Sequence, residues 1–99
     1  MKKCLYVVVR KDLPPGLQMA QACHAAFAYG FYGSDDVGDN LVALGASLDE
    51  LTALAKAAER LNLSHVSFRE PDLGDELTAL ALSGNARALV SQLPLALRA

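Results

Sequence analysis

The continuous apolar run CLYVVVR, residues 4 to 10, constrains the fold more than any other feature of the chain. Short runs rich in β-branched and aromatic residues are typical of a central strand that is covered on both faces. The two prolines at 14 and 15 cannot donate ladder hydrogen bonds, and Gly16 relaxes the backbone before the next element. A buried strand followed by a breaker therefore opens the chain.

Two helices and a second strand are predicted next. Alanines, Met19 and aromatics favour a helix from about Gly16 to Tyr32, which is apolar nearly all round and is therefore expected to be largely buried. The turn-rich segment GSDDVGD, residues 33 to 39, separates it from the short strand NLVAL. Ser47 and Glu50 have the spacing of a capping box, and leucines and alanines repeat at helical spacing behind them.

The second half of the chain predicts two more strands and a last helix. HVSFR, residues 65 to 69, alternates as in a half-buried strand, and LTALAL, residues 77 to 82, is interpreted as a strand on context. Asn85 is expected to cap a short helix, ARALVSQL, that ends at Pro94. The order β-α-β-α-β-β-α predicts one domain over residues 1–99, a three-layer α/β/α sandwich around a mixed four-stranded sheet.

Composition narrows the classes of partner and compartment. A chain of 99 residues supports a single core. Its net charge of −2 gives no global basic field, so nucleic-acid contact would need a local patch. The apolar residues before Arg10 are too few for a signal peptide or a membrane span. Cys4 and Cys23 are predicted to be buried free thiols in a reducing cytoplasm.

Polar residues follow the predicted strands where ligands usually gather, at the carboxyl ends in open α/β sheets. The first helix is expected to begin at this same edge. The residues collected there are Arg10, Lys11 and Asp12 after the first strand, and Arg69, Glu70, Asp72 and Asp75 after the third.

Gln21 and His24 are three residues apart on the first helix, so they face the same way and could share a ligand. With an unperturbed pKa of about 6.5, a histidine can act as a general base near neutral pH. The structural alternative is a partly buried His24 that is satisfied by a backbone carbonyl, with Gln21 in a similar role at the sheet edge. From these residues alone both interpretations stay open.

The charged residues allow two interpretations each. Carboxylates at Glu70, Asp72, Asp75 and Glu76 could bind a divalent cation, although a solvated acidic turn is the simpler interpretation. Basic residues at 10, 11 and 69 could hold phosphate or could be ordinary surface charges. The sequence has no Ser/His/Asp ordering, P-loop or GxGxxG, so we expect no nucleotide-dependent chemistry and predict no cofactor and no metal.

The segment LYVVVRKDLPPGLQMAQACHAA, residues 5 to 26, resembles the first strand and helix of type II peptidyl-tRNA hydrolases. The matching positions are Val8, Val9, Arg10, Asp12, Leu13, Gly16, Gln21, His24 and Ala25, and residues 78 to 81, TALA, resemble the family's T-V-L-A. Two features depart from the family pattern. Leu17 stands at the position of the family's lysine, and the shorter segment REPDLGDEL leaves Glu70 or Asp72 as the nearest acidic counterpart.

The resemblance implies hydrolysis of the ester between a peptide, or an N-blocked amino acid, and the 3′ ribose of tRNA. It assigns His24 and Gln21 to positioning substrate or water, Glu70 or Asp72 to the acidic role, and Thr78 to a hydroxyl partner. Phosphate contacts would fall to the basic residues Arg10, Lys11 and Arg69. It also implies a homodimer with peptidyl-tRNA as its partner. No membrane association is expected, because the apolar run before Arg10 is too short for a span.

Two other functions stay open. One is a non-catalytic module that binds tRNA ends or another partner, which Leu17 and the acidic pI favour. The other is a small hydrolase or binding protein for an unrelated substrate, because one fold serves many functions.

Overall fold

The computed structural model describes residues 4–31 and 40–97. In chain order the helices and strands are β1 (Cys4–Arg10), α1 (Pro15–Phe31), β2 (Asn40–Ala46), α2 (Leu48–Arg60), β3 (His65–Glu70), β4 (Glu76–Leu82) and α3 (Arg87–Val90). Short 3₁₀ turns occupy Pro71–Leu73 and Gly84–Ala86. The predicted α/β class, the mixed four-stranded sheet and the order of elements are confirmed.

The strand order in the sheet is β2-β1-β4-β3, with β1 parallel to β2 and β4 antiparallel to both of its neighbours. It follows that β3 runs parallel to β1, and that both strands end at the same edge of the sheet. The predicted meeting of residues after the first and third strands is therefore built into the topology.

Alternation along β1 divides the core into two layers. Leu5, Val7 and Val9 pack with α1 on one face of the sheet. Val8 packs on the other face, with Leu51 of α2 and with residues of the C-terminal segment. Because β1 is covered from both sides, its continuous apolar sequence is explained.

A β-bulge interrupts the pairing of β3 with β4. Phe68 pairs with Ala79 and Arg69 with Leu77, so Thr78 is the extra residue on β4. Leu77 and Leu80 both belong to the core on the α2 side, and strict alternation from Leu80 would turn residue 78 to that side as well. The bulge instead turns Thr78 toward α1, where its hydroxyl contacts Gln21.

The two edge strands of the sheet, β2 and β3, differ in the backbone hydrogen bonds along their outer sides. The C-terminal segment lies along β2, where the Gly45 amide donates to the Pro94 carbonyl at 2.8 Å and the Ala96 amide donates to the Ala43 carbonyl at 2.9 Å. Along the outer edge of β3, no backbone hydrogen bond from residues 4–31 or 40–97 is present.

The expectation that the first helix is largely buried is wrong. Only Gln18, Gln21, Ala25 and Tyr29 of α1 are buried. Met19 and Phe27 are 57% and 73% exposed. A single helix covers this face of the sheet, and among the described residues no further layer packs on its outer side. The same geometry exposes Cys23, so its predicted burial is also wrong, and Cys4 is half-buried.

The predicted last helix is too long. A 3₁₀ turn at Gly84–Ala86 leads into α3, which ends at Val90, and Asn85 lies within that turn without acting as a cap. After α3 the backbone turns through a short-range hydrogen bond instead, in which the Leu93 amide donates to the Val90 carbonyl at 3.0 Å. Tyr32 and the predicted loop at 33–39 lie outside the described residues. Within the described ranges, no helix has the length and apolar character needed to span a membrane.

Candidate active site

The side-chain amide of Gln21 joins three elements at the edge where β1 and β3 end. Gln21 is only 2% exposed, although its side chain is polar. Its Nε2 donates to Glu70 Oε2 at 3.1 Å, at the end of β3. Its Oε1 accepts from the hydroxyl of Thr78 at 2.7 Å, on β4. This chain of hydrogen bonds, which we call the Thr78–Gln21–Glu70 relay, holds the Glu70 carboxylate in place.

Donor and acceptor chemistry fixes the direction of the relay. A carboxylate only accepts, so the amide nitrogen of Gln21 must face Glu70 and its oxygen must face Thr78. The Thr78 side chain is fully buried, and the carbonyl of Phe68, at 3.4 Å, is a much longer alternative acceptor for its single proton. The β-bulge therefore has a local consequence, because it supplies the hydroxyl that orients the amide.

His24 lies one helical turn beyond Gln21 and contacts the same strand. Its ring stacks on Phe68 with the ring centroids 4.7 Å apart and the planes 5° from parallel. Phe68 is two residues before Glu70, so the pairs Gln21–Glu70 and His24–Phe68 are successive contacts between α1 and β3. His24 is exposed and forms no hydrogen bond to the described residues, so the interpretation as a histidine satisfied by a carbonyl is wrong.

Arg10, at the end of β1, is held by two carboxylates. Its Nε and NH2 donate to the two oxygens of Asp12 at 3.0 and 2.7 Å, and its NH1 donates to Glu76 Oε2 at 2.8 Å. The hydrogen bonds to Asp12 are the main cause that raises the pKa of Arg10, and the same contact lowers the pKa of Asp12. The phosphate role predicted for Arg10 stays a prediction, and phosphate would have to displace a carboxylate.

Gln18 is a structural residue of this region that the sequence interpretation passed over. Its Nε2 donates to the carbonyls of Leu13 at 2.6 Å and Lys11 at 3.3 Å, which ties the loop after β1 to the start of α1. Its Oε1 is buried without a hydrogen-bond partner among the described residues. The available signal was its spacing of three residues from Gln21, which puts both amides on one helix face. Leu17, at the family's lysine position, is half-buried beside it.

The other predicted site residues lie around the relay without joining it. Asp72 is exposed in the 3₁₀ turn and has no hydrogen bond with Gln21, so of the two acidic residues named above Glu70 is the one that Gln21 contacts. Arg69 is exposed and donates to the backbone carbonyl of Asp75 at 3.3 Å. Lys11 is exposed in the loop after β1. No cluster of three potential metal ligands occurs among residues 4–31 and 40–97.

Two concavities flank the relay without containing it. A groove of about 520 Å³ lies on the α2 side of the sheet, with Lys56, Arg69 and Glu76 among its lining residues. A cavity of about 220 Å³ between α1 and the β2 edge is lined by apolar side chains and Gln18. Glu70 is half-buried at the surface of the molecule.

Comparisons with known proteins bear on the fold. The solved structure of Atu0240, a protein of unknown function from Agrobacterium tumefaciens strain C58, is similar to this chain with a TM-score of 0.74. The two share 11% sequence identity over 96% of this chain and 98% of the other. At that identity the likeness shows the α/β fold alone. No protein-family model matches the chain, and a comparison with curated proteins gives no match.

Proposed function

We propose that this protein hydrolyses the ester between a peptide, or an N-blocked amino acid, and the 3′ ribose of tRNA. The observation that carries the proposal is the Thr78–Gln21–Glu70 relay, because it orients a partly exposed carboxylate at the edge where ligands bind in open α/β sheets. The resemblance of residues 5 to 26 to type II peptidyl-tRNA hydrolases supplies the substrate class.

In this mechanism Glu70 is the general base. It takes a proton from water as the water oxygen attacks the ester carbonyl carbon, which gives a tetrahedral oxyanion. The bond from that carbon to the ribose 3′ oxygen then breaks, and the proton passes from Glu70 to the departing oxygen. The products are tRNA with its 3′ hydroxyl and the peptide carboxylic acid, which releases its remaining proton to solvent and becomes a carboxylate. Gln21 is a positioning residue, and Thr78 acts through Gln21.

His24 contacts the substrate in this proposal. Its ring is exposed but held flat against Phe68, so its direction is fixed while its ring nitrogens stay accessible to a bound ester. A ring nitrogen that carries a proton can donate to the carbonyl oxygen as negative charge develops there. Lys11 and Arg69 are the exposed cations that flank the relay and would contact RNA phosphate.

A second candidate function is a non-catalytic module that binds tRNA ends or another partner. The half-buried Leu17 favours it, because no cation occupies the position of the family's lysine. The acidic side chains at 12, 70, 72, 75 and 76 also outnumber the basic ones at 10, 11 and 69 along this edge. That balance weakens the attraction for RNA in either function and makes turnover the deciding measurement.

The compartment and assembly are also part of the proposal. We place the protein in the cytoplasm, where peptidyl-tRNA is found, as a homodimer. α1 contains no Asp, Glu, Lys or Arg and exposes Met19 and Phe27, and Met19 lines a cavity together with the exposed Leu41 of β2. A second copy could cover these side chains. Light scattering of wild type and Phe27→Asp tests the dimer, which the charged variant should weaken without unfolding the chain.

The test of the activity is release of tRNA from N-acetyl-aminoacyl-tRNA. Wild type should turn over, and Glu70→Gln should lower kcat by about 100-fold, because the amide cannot take the proton. His24→Ala should lower kcat by about 100-fold, because it removes the donor to the developing oxyanion. Asp72→Asn is the matched control, since it removes a nearby charge outside the relay and should leave kcat unchanged. Full activity in Glu70→Gln would refute the mechanism, and tRNA binding without turnover would favour the non-catalytic module.

A further inference from the structure

The outer edge of β3 is an unpaired strand that ends at the candidate general base. β3 is the last strand of the sheet, and within the described residues its outer side has no backbone partner. Glu70 is its final residue. The free edge therefore leads directly to Glu70 of the relay.

The pairing with β4 shows which backbone groups of β3 face outward. The Ser64 carbonyl accepts from the Ser83 amide at 3.0 Å, and the Glu70 carbonyl accepts from the Asp75 amide at 3.0 Å. Successive residues of a strand point their backbone groups to opposite sides, so those of even-numbered residues here face β4. The outward amides and carbonyls therefore belong to His65, Ser67 and Arg69.

The opposite edge of the sheet, by contrast, is partly covered. The C-terminal segment covers part of β2 with hydrogen bonds at Gly45 and Ala96 and with the bridge from Leu44 to Leu95. Proteins usually protect edges by covering them, by placing proline on them or by shortening the strand. β3 is six residues long, contains no proline and carries one cation, Arg69.

We propose that an extended peptide adds to β3 as a fifth strand, and that this is how the peptide part of the substrate is held. The proposal rests on the function proposed above for the identity of the peptide. A peptide that runs parallel to β3 places its carboxyl end, and so its ester, beside Glu70. An antiparallel peptide would place its carboxyl end at His65, far from the relay.

Recognition by the strand edge also fits the chemistry of this substrate. Main-chain hydrogen bonds are the same for nearly every residue type, so the edge can hold peptides of any sequence. At about 3.3 Å per residue, the strand spans about five peptide residues. Binding should therefore strengthen with peptide length up to about five residues and then stop increasing.

The test uses the uncharged pentapeptide N-acetyl-Ala-Thr-Ala-Thr-Ala-amide with the isotope-labelled protein, without tRNA. NMR should show the backbone amides of His65, Ser67 and Arg69 shifting and exchanging more slowly, while those of Val66 and Phe68 change less. N-methylation of the peptide at alternate positions should weaken binding about fivefold per lost bond, whereas methylation at the intervening positions should have little effect.

Ser67→Pro removes one outward donor of the protein, and Ser67→Ala keeps it. Proline is tolerated where an edge amide faces solvent, so the proline variant should fold and bind the pentapeptide more weakly than the alanine variant. Equal binding by the two variants, or equal effects of N-methylation at all positions, would overturn the proposal. So would shifts of the same amides that depend on protein concentration alone, because a second copy would then occupy the edge.

The proposal that β3 binds a peptide and the proposal that the protein is a hydrolase can be refuted independently. Pentapeptide binding at β3 together with absent turnover of N-acetyl-aminoacyl-tRNA would remove the proposed function and leave a peptide-binding edge. Turnover whose KM is the same for one-residue and five-residue peptidyl groups would keep the hydrolase and remove the edge.

Discussion

The two long helices pack on opposite faces of the same sheet, and they are stabilised in different ways. α2 begins with a complete capping box, in which the Glu50 amide donates to Ser47 Oγ at 3.1 Å and the Ser47 amide donates to Glu50 Oε1 at 2.9 Å. It has acidic residues in its first turn and Arg60 in its last, as the helix dipole favours. α1 has no acidic residue in its first turn and no basic residue in its last.

The buried faces of the two helices also differ, because that of α2 is apolar and that of α1 is partly polar. α2 buries Leu51, Leu54 and Ala58, whereas α1 buries two glutamines together with Ala25 and Tyr29. The glutamines link α1 to the loop after β1 and to the ends of β3 and β4. α2 therefore contributes mainly to stability. α1 buries fewer apolar side chains, and its buried glutamines position the residues of the candidate site. Substitutions on the two helices should accordingly separate stability from activity.

The largest effect on stability is expected on α2. Leu51 is fully buried in the core between α2 and the sheet, and Leu51→Ala should lower the free energy of unfolding by about 2–5 kcal/mol. Turnover measured well below the melting temperature should stay near wild type, since this residue lies on the opposite face of the sheet from the relay. Urea unfolding and esterase kinetics on the same preparation test both statements.

The control for this substitution is Thr52→Ala, which alters the next residue of α2 outside the buried face. It should change the free energy of unfolding by less than about 0.5 kcal/mol. A Leu51→Ala protein that remains folded but loses turnover would show that the two faces of the sheet are coupled, and would contradict the division of roles between the helices.

Gln21→Leu should have the next largest effect on stability and a large effect on activity. It leaves the buried Thr78 hydroxyl without its short acceptor, which costs about 1–3 kcal/mol. It also frees the Glu70 carboxylate, so kcat should fall by about 100-fold, as for loss of the base itself. Met19→Leu, on the exposed side of the same helix, should change neither quantity. A Gln21→Leu protein with wild-type kcat would exclude the relay from catalysis.

The difference between the helices also explains how much the sequence alone could predict. Ser47, Glu50 and the leucines behind them define α2 locally, and the structure confirms its cap. The face of α1 could not be deduced in this way, because a helix of alanines, aromatics and amides has no sharp apolar side. Its burial is decided by the sheet and by the number of layers, so Phe27 is exposed while Gln21 is buried.

The candidate site was predictable in part for the same reason. The meeting of strand ends followed from the topology, and Gln21 and Glu70 do meet there. Thr78 came from the family resemblance alone, since its direction depends on a β-bulge that no sequence pattern announced. Gln18 lies on the same helix face as Gln21, but its hydrogen-bond partners are backbone carbonyls, so the sequence offered no partner side chain that would have indicated its role.

Ser47→Ala tests the local stability of α2 and should have a smaller effect. It removes the side-chain half of the capping box, and the free energy of unfolding should fall by about 1 kcal/mol. Turnover should be unchanged. The corresponding position before α1 offers no cap to remove, so Pro14→Ala should have a smaller effect than Ser47→Ala in the same urea titration. The opposite order would show that α1 depends on its own N-terminus.

The smallest effect should appear as a dependence of stability on acid. Hydrogen bonds from Arg10 lower the pKa of Asp12 in the folded protein, and contacts with the Ser47 backbone amide and side chain lower the pKa of Glu50. A carboxylate whose pKa is lower in the folded state stabilises the fold above its unfolded pKa, and this stabilisation is lost as pH falls through the folded value.

Asp12→Asn should therefore be less stable than wild type at pH 7. The difference should stay below about 1 kcal/mol because the Asp12 side chain is more than half exposed and solvent screens its charge, and it should shrink as pH falls below the unfolded pKa of Asp12. Glu50→Gln should show the same trend through the cap of α2, so urea unfolding of both variants at pH 7 and pH 3 compares the two helices directly. A difference that persists unchanged at pH 3 would mean that the aspartate acts through packing, and that the charge pair with Arg10 contributes nothing to holding the loop before α1.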